Sequence, residues 1–256
     1  GRCWKLTLPP NIYSGQGGHT VPMNFVRLYE KQDGTKQTWD LENGGVDLNQ
    51  KYAELDLRFK QSIAYNGSYW NVDYPNVELF QGGAHADRCW GGHWLHKLLP
   101  SHLTYANDRA TPNGIIFRLA EAYLNYAEAL NEAQGPVQEA YDAVNTIRNR
   151  SGQPDLPTGL TQDEFRERVR NERAIELFME EHRLWDLRRW LLAESNEGMN
   201  GELIGIKIYE IEGTEPQEYR YEPSLVEKRT FLRRLYLHPF PLNEVYKGYL
   251  KQNPGY

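Results

Sequence analysis

Three sets of side chains in this sequence have types and spacings that could do chemistry. The first is acidic: Glu172, Glu176, Glu180, Glu181 and Asp186 lie on a stretch that also carries Arg173, Arg183, Arg188 and Arg189. Two carboxyls ~5–9 Å apart in a cleft, one with a raised pKa, are the machinery of glycoside hydrolysis. Interleaved with arginines, the same acids build a lattice instead. Guanidinium forks grip carboxylates at two points and keep them ionised. An ionised carboxylate is the wrong form for a general acid, so the pattern favours the lattice. The second set is Cys89, His93 and His96, with His85 nearby. Zinc sites bring paired ligands from two segments under tighter spacing rules, so solvated or hydrogen-bonded loop histidines are the favoured reading and no metal is assigned. The third set is aromatic and the most informative. The chain holds 7 Trp, 17 Tyr and 8 Phe at a mean hydropathy of −0.74, so some of these rings are expected to face solvent or ligand. Trp4, Tyr13, Tyr69, Trp70, Tyr74, Trp90 and Trp94 sit in Gly-, Asn- and Asp-rich loops beside Arg2, Asn71, Asp73 and Arg88. A flat ring buries the C–H face of a sugar at little rotamer cost, while amide, carboxylate and guanidinium groups bond its hydroxyls. Arg2, Trp4, Tyr13, Tyr69, Trp70, Tyr74, Arg88, Trp90 and Trp94 are therefore the candidate ligand-binding residues. The competing reading is that each ring only plugs a loop onto the rest of the protein. No Gly-x-x-x-x-Gly-Lys-Ser/Thr loop or Gly-x-Ser-x-Gly elbow is present, and no cofactor is implied.

The elements that must position these groups divide the chain near residue 115. Residues 1–114 hold five of the seven Trp and 13 of the 22 Gly, with turn signals every few positions, and read as a loop-rich ligand-binding region with short strands. Asn24–Glu30 is one short amphipathic piece, followed by an Asp33-Gly34 turn. Ser62–Gly67 reads as a strand running into an Asn-Gly turn. Residues 115–192 carry helical periodicity, with apolar positions at 116, 119, 120, 123, 124, 127 and 130. Gly135-Pro136 ends one helix and starts the next, which runs to about Arg150 as the second arm of an antiparallel hairpin. Thr161-Gln-Asp-Glu164 has the pattern of a capping box opening a third helix to about Glu181. That helix continues or kinks into a fourth through Trp190. The hairpin and its linker span about the 34 residues of a tetratricopeptide unit, but only about two such units are present where roughly three are needed to bury their faces. Residues 193–256 begin strand-like at Leu203–Tyr209 and continue as an irregular, proline-bearing segment expected to pack back on the helices.

The 256 residues suffice for one or two domains. No apolar run approaches the ~20 residues of a membrane span. With 29 basic against 35 acidic residues, net −6, nothing suggests a polyanion partner such as nucleic acid. Cys3 and Cys89 fit one bridge or two free thiols.

Several of these segments, in order, resemble the SusD/RagB family of surface glycan-binding lipoproteins of Bacteroidetes-type bacteria. Asn24–Glu30 with Asp33-Gly34, Leu55-Asp-Leu-Arg-Phe59 and Ile63-Ala-Tyr-Asn-Gly-Ser68 look like its early motifs. The strongest stretch is Phe117–Asn131 running into Val144–Arg150. Then come Glu172-Arg-Ala-Ile-Glu-Leu177, His182–Trp190, Tyr236-Leu-His-Pro-Phe-Pro241 and the closing Gln252-Asn-Pro-Gly-Tyr256. Glu181 stands where the family has Gly, and Tyr256 stands for its terminal Trp.

The resemblance implies a mostly helical fold: tetratricopeptide-like helical hairpins with a loop-rich, short-strand subdomain. It covers only the C-terminal half of a family member, so an absent N-terminal half of the same protein is expected as a partner, along with its lipid anchor at the outer-membrane surface. The implied function is non-enzymatic binding of an extracellular glycan and its delivery to a SusC-like TonB-dependent transporter. Peptide cargo within the same family, a glycoside hydrolase and a protein-interaction scaffold are the alternatives.

Overall fold

A computed structural model describes residues 8–15, 17–41, 48–99, 102–104 and 114–256. The helical half follows the periodicity closely. Helix α4 spans Leu119–Gln134, α5 Gln138–Arg150, α6 Gln162–Glu176 and α7 His182–Arg189. Ala127, Ala140, Val144, Phe165 and Val169 form the shared core of α4, α5 and α6, small residues on the first two helices letting the aromatic ring of the third fit between them. Gly135 takes φ 84° at the end of α4 and its N–H donates to Asn131 O. The capping box forms: the Glu164 N–H reaches Thr161 Oγ1, and the Glu164 carboxylate accepts from the Thr161 N–H at 2.8 Å.

Two boundaries differ from the sequence expectation. The first helix starts at Leu119 rather than Ile115, because Arg118 is extended (φ −148°, ψ 160°) and its guanidinium is anchored on α6 and the turn after it. The third helix does not run on. It stops at Glu176, and Glu181, at φ 65°, occupies the left-handed region ahead of α7. A break exists without the glycine that would relieve it.

The front of the chain supplies α1 (Met23–Val26), α2 (Leu48–Glu54), α3 (Leu57–Ser62) and one short antiparallel pair, β1 (Ile63–Ala64) with β2 (Trp94–Leu95). Its core is built from rings, with Tyr29, Tyr52, Phe59, Trp70 and Trp94 all buried. A second antiparallel pair corrects the expected irregular tail. Gly201–Ile211 is β3, and Glu218–Arg229 is β4, its partner throughout, with one bulge at Leu203/Ile204. Pro223 is tolerated in β4 because a two-stranded ribbon has only edge strands.

This ribbon packs on the loop region rather than on the helices. Ile206, Ile208 and Tyr221 join the ring-lined core, and the Asn24 side chain bonds the free edge of β3, accepting from Ile204 N–H and donating to Glu202 O. Gly205 lets β3 lie against the Trp90–Gly91 backbone, since a Cβ there would lie 2.1 Å from the Trp90 carbonyl oxygen. Only the stretch after β4 returns to the helices, where Phe231 packs with Leu187 and Ala193. A 3-10 turn at Arg233–Tyr236 and helix α8 (Leu242–Val245) end the chain. Among the described residues no helix is long and apolar enough to cross a membrane. Eight helices against two strand pairs make the fold mostly helical among these residues.

Candidate ligand-binding site

The candidate rings cluster where the backbone turns most tightly. Residues 67–77 form a small hairpin held by Gly67 N–H to Val77 O (2.8 Å), Val77 N–H to Ser68 O (2.9 Å) and Trp70 N–H to Tyr74 O (3.1 Å). Asn71 organises its tip. The amide oxygen accepts from the N–H groups of Asp73 and Tyr74, while the amide nitrogen donates to Tyr13 Oη (2.8 Å) and Leu103 O (2.7 Å). Tyr13 is drawn in: its hydroxyl lies 2.7 Å from Asp73 Oδ2, its N–H donates to Tyr74 Oη, and the two rings meet edge to face at 4.9 Å. Burial and the Asp73 carboxylate push the Tyr13 phenol well above its ordinary pKa. It is a neutral donor at any physiological pH.

The pleat of this hairpin sorts neighbouring rings in opposite directions, as successive side chains of an extended segment must go. Tyr69 is 59% exposed, whereas Trp70 is buried against His96 with centroids 4.4 Å apart. The loop before β2 repeats the division. Trp90 is 69% exposed, while Trp94 is fully buried and its indole N–H donates to His85 O at 2.9 Å. Arg88 is exposed, in a left-handed turn, 3.7 Å from Asp87.

The nine candidates therefore separate physically. Trp70 and Trp94 have no face open to a ligand and act as core residues; Tyr13 and Tyr74 brace the hairpin tip. Tyr69, Trp90 and Arg88 remain available. Among the described residues no ring contact joins Tyr69 to Trp90, so the structure does not bring the two into one stack. Arg2 and Trp4 lie outside the described residues, as does Cys3.

The other two sets are held in different ways. Burial holds the histidines, with hydrogen bonds for His93 and His85, while the ring nitrogens of His96 find no partner among the described residues and its ring packs on Trp70. The Tyr52 hydroxyl donates to His93 Nε2 at 2.5 Å, and His93 Nδ1–H donates to Val21 O at 3.0 Å. Burial pulls His93 down to about 4 and lowers His85 and His96 as well. Cys89 is a free thiol whose pKa burial pushes up. Among the described residues no three His, Cys, Asp or Glu side chains are grouped to hold a metal ion.

The acids form the lattice. Arg58 reaches Asp56 (2.6 Å), Glu172 (2.6 Å) and Glu176 (2.9 Å). Arg148 joins Glu30 and Glu172, each at 3.1 Å. Arg118 bonds Glu176 and Glu180, and Lys97 adds a further bond to Glu180 at 2.6 Å. Burial alone would raise the Glu176 pKa; hydrogen bonds and charge from Arg118 and Arg58 outweigh it and hold the group at about 2. Glu180 is lowered too, Arg118 and Lys97 prevailing over its burial. Glu176 and Glu180 are held as anions. Sequence spacing pointed to the acids but missed Arg58, Arg148, Arg118, Glu30 and Lys97, which arrive from distant segments.

With this geometry in view, the comparisons with known proteins identify the family. Residues 4–256 match the SusD family. The chain belongs to it. A SusD-like protein from Bacteroides fragilis of known crystal structure is 31% identical, superimposes with a TM-score of 0.76, and is matched over 95% of this chain but 48% of its own. SusD-like protein P38 of Formosa agariphila is 39% identical, covering 68% of this chain and 40% of that protein. SusD-like protein P25 of the same organism is 28% identical, covering 70% of this chain and 27% of that protein. The chain thus spans well under two thirds of the length of these relatives.

Proposed function

We propose that this SusD-family chain is part of a non-enzymatic protein that captures an extracellular glycan at the outer-membrane surface and passes it to a SusC-like TonB-dependent transporter. The observation that carries the reading is the outward exposure of Tyr69 and Trp90, two rings presented to solvent from loops whose tryptophans Trp70 and Trp94 are packed inward. Exposing large aromatic surface on an otherwise hydrophilic chain is unfavourable unless a ligand covers it. Sugar C–H faces suit such platforms. Arg88, Asp73 and the amide-rich turns beside them supply hydrogen bonds to hydroxyls. Glu176 and Glu180 support a non-catalytic role, because groups held ionised by arginine cannot donate the proton that glycosidic cleavage requires.

Affinity electrophoresis through gels cast with a panel of polysaccharides tests this, with each sample also assayed for new reducing ends. The chain is expected to be retarded by at least one glycan without releasing reducing ends, and Tyr69→Ala and Trp90→Ala are expected to abolish or weaken that retardation. New reducing ends that vanish in Glu176→Gln would establish the hydrolase instead. Failure on every glycan, with retention on immobilised peptides, would move the cargo to peptide.

A further inference from the structure

Three buried nitrogens on one ring pair take no hydrogen bond among the described residues: Trp70 Nε1, His96 Nδ1 and His96 Nε2. Trp70 is 2% exposed, and the two rings lie with centroids 4.4 Å apart at a 49° tilt. Other buried rings of the loop region spend their nitrogens. Trp94 Nε1–H donates to His85 O, His85 Nδ1 accepts from the Glu78 N–H, and His93 bonds Tyr52 and Val21. A buried donor or acceptor left unpaired forfeits its hydration with no return, and native interiors seldom leave one so. Three on touching rings point to a shared partner.

The chemistry of that partner follows from what the rings offer. An indole N–H only donates, and a neutral imidazole has one donor and one bare acceptor. Burial lowers the His96 pKa from its ordinary value, so the ring is neutral at pH 7. The carbonyl of Lys60, in the last turn of α3, faces the imidazole without completing a hydrogen bond to it. The pair therefore lacks a group that accepts from Trp70 and donates to the bare nitrogen of His96. Water does both, and internal waters hold roughly two to four such bonds. A deprotonated anion would accept from Trp70 but has no proton to donate to His96.

The position of this ring pair gives the water a task. Trp70 follows Tyr69 on the hairpin of residues 67–77, and the pleat that turns one ring inward turns the other outward. His96 directly follows β2. The main-chain bonds of the hairpin, Gly67 N–H to Val77 O and Val77 N–H to Ser68 O, close it on itself and do not reach β2. We propose that one internal water bridges the Trp70 indole and the His96 imidazole, and that this bridge fixes the hairpin against β2 and so sets the direction in which Tyr69 faces. The bridge is independent of which cargo meets that ring.

Crystallography and hydrogen exchange on the whole protein test it. At a resolution that orders internal waters, a water is expected within about 3.2 Å of both Trp70 Nε1 and one His96 nitrogen. A direct Trp70–His96 bond, a partner supplied by another protein group, or nitrogens with no neighbour at that distance would each overturn the bridge. Exchange in residues 66–77 reads its task. Trp70→Phe keeps a ring but removes the N–H, and His96→Leu removes the acceptor; each is expected to speed exchange there by roughly tenfold, with α5 unchanged. His96→Gln, whose amide both accepts and donates, is expected to restore most of the protection. Unchanged exchange in Trp70→Phe and His96→Leu would overturn the positioning role. Equal losses in His96→Gln and His96→Leu would overturn it too, marking packing as the cause. The crystallographic result stands even where a variant fails to fold.

Discussion

The loop region and the helical region of this protein differ in what they bury beside their apolar cores. Between residues 8 and 99 the interior is aromatic, with Tyr29, Tyr52, Phe59, Trp70 and Trp94 buried. Between residues 114 and 192 the buried set includes Arg148, Glu172, Arg173, Glu176 and Asp186, while Phe117, Tyr126 and Trp185 face outward. The two regions meet at the lattice, where Glu30, Asp56, Arg58 and Lys97 from the loops meet Arg118, Arg148, Glu172, Glu176 and Glu180 from the helices. The contrast separates two jobs. Rings packed by shape fix the loops that present Tyr69 and Trp90, whereas charges fix where that loop assembly sits on the helices, because ion pairs are directional and fail outside a narrow geometry.

The largest test removes the charge that most tightly couples the regions. Arg58→Ala leaves Asp56, Glu172 and Glu176 buried without their shared cation, and losing one partner of a buried ion pair costs about 3–5 kcal/mol. Urea unfolding should show that loss. A change under about 1 kcal/mol would mean that the lattice is less well formed than its distances suggest. The corresponding test in the loops compares two nearby tryptophans. Trp94→Ala empties a fully buried site and should cost about 3–5 kcal/mol, whereas Trp90→Ala at an exposed one should stay within about 0.5 kcal/mol. Equal effects would erase the distinction between core ring and platform ring.

Acid should dissect the two regions in sequence. His93 has an ordinary pKa of 6.5 and a folded value of about 4. The unfolded imidazole takes up a proton below pH 6.5 that the buried one refuses, so stability fully present above 6.5 is lost as pH falls toward 4. For one such group the loss reaches about 3 kcal/mol, and His85 and His96, also lowered by burial, add to it. Glu176 acts in a lower window. Its carboxyl protonates near 4.5 when unfolded and near 2 when folded, so its share, again about 3 kcal/mol, is present above 4.5 and lost toward 2. Denaturation midpoints at pH 7, 5.5 and 4 check the first window. A flat profile there would show that the loop histidines are not buried as neutral groups.

How much of this was legible in the sequence follows the same division. The helices were legible because their signals are local: the 3.6-residue period of α4, Gly135 after it, and Thr161 with Glu164 ahead of α6. The ribbon strand β4 was not, since Pro223 interrupts the short alternation around Tyr219 and Tyr221, and a proline inside a run argues against a strand unless the strand lies at an edge. The lattice was half legible. Its acids lie four apart on α6, but Arg58 and Arg148 come from 114 and 24 residues away from Glu172, and no spacing rule reaches that far. Among the rings, Tyr69 and Trp70 are adjacent and similar in composition and context; the hairpin's pleat alone sends one out and the other in. Their region was readable, and their individual roles were not.

A small stabilising effect is expected at the helix boundary where the chain keeps a break without the family's glycine. Glu181 occupies the left-handed region at φ 65°, where a side chain crowds the following carbonyl at a cost of about 1–2 kcal/mol. Its own side chain is exposed, and no hydrogen bond or ion pair links it to the lattice. Glycine adopts this conformation freely but has more backbone freedom to lose on folding, which returns roughly 0.5–1 kcal/mol. Glu181→Gly should therefore stabilise the chain by up to about 1 kcal/mol, read as a higher urea midpoint at an unchanged slope. The regional contrast sharpens that expectation. The residue sits between α6, whose carboxylates anchor the loops, and α7, whose Arg189 bonds Glu128 of α4. Relief of strain there should leave untouched the glycan retention proposed for Tyr69 and Trp90. If the variant instead loses stability, the left-handed turn is held by the acid itself, and the boundary between α6 and α7 is set by its charge rather than by backbone geometry.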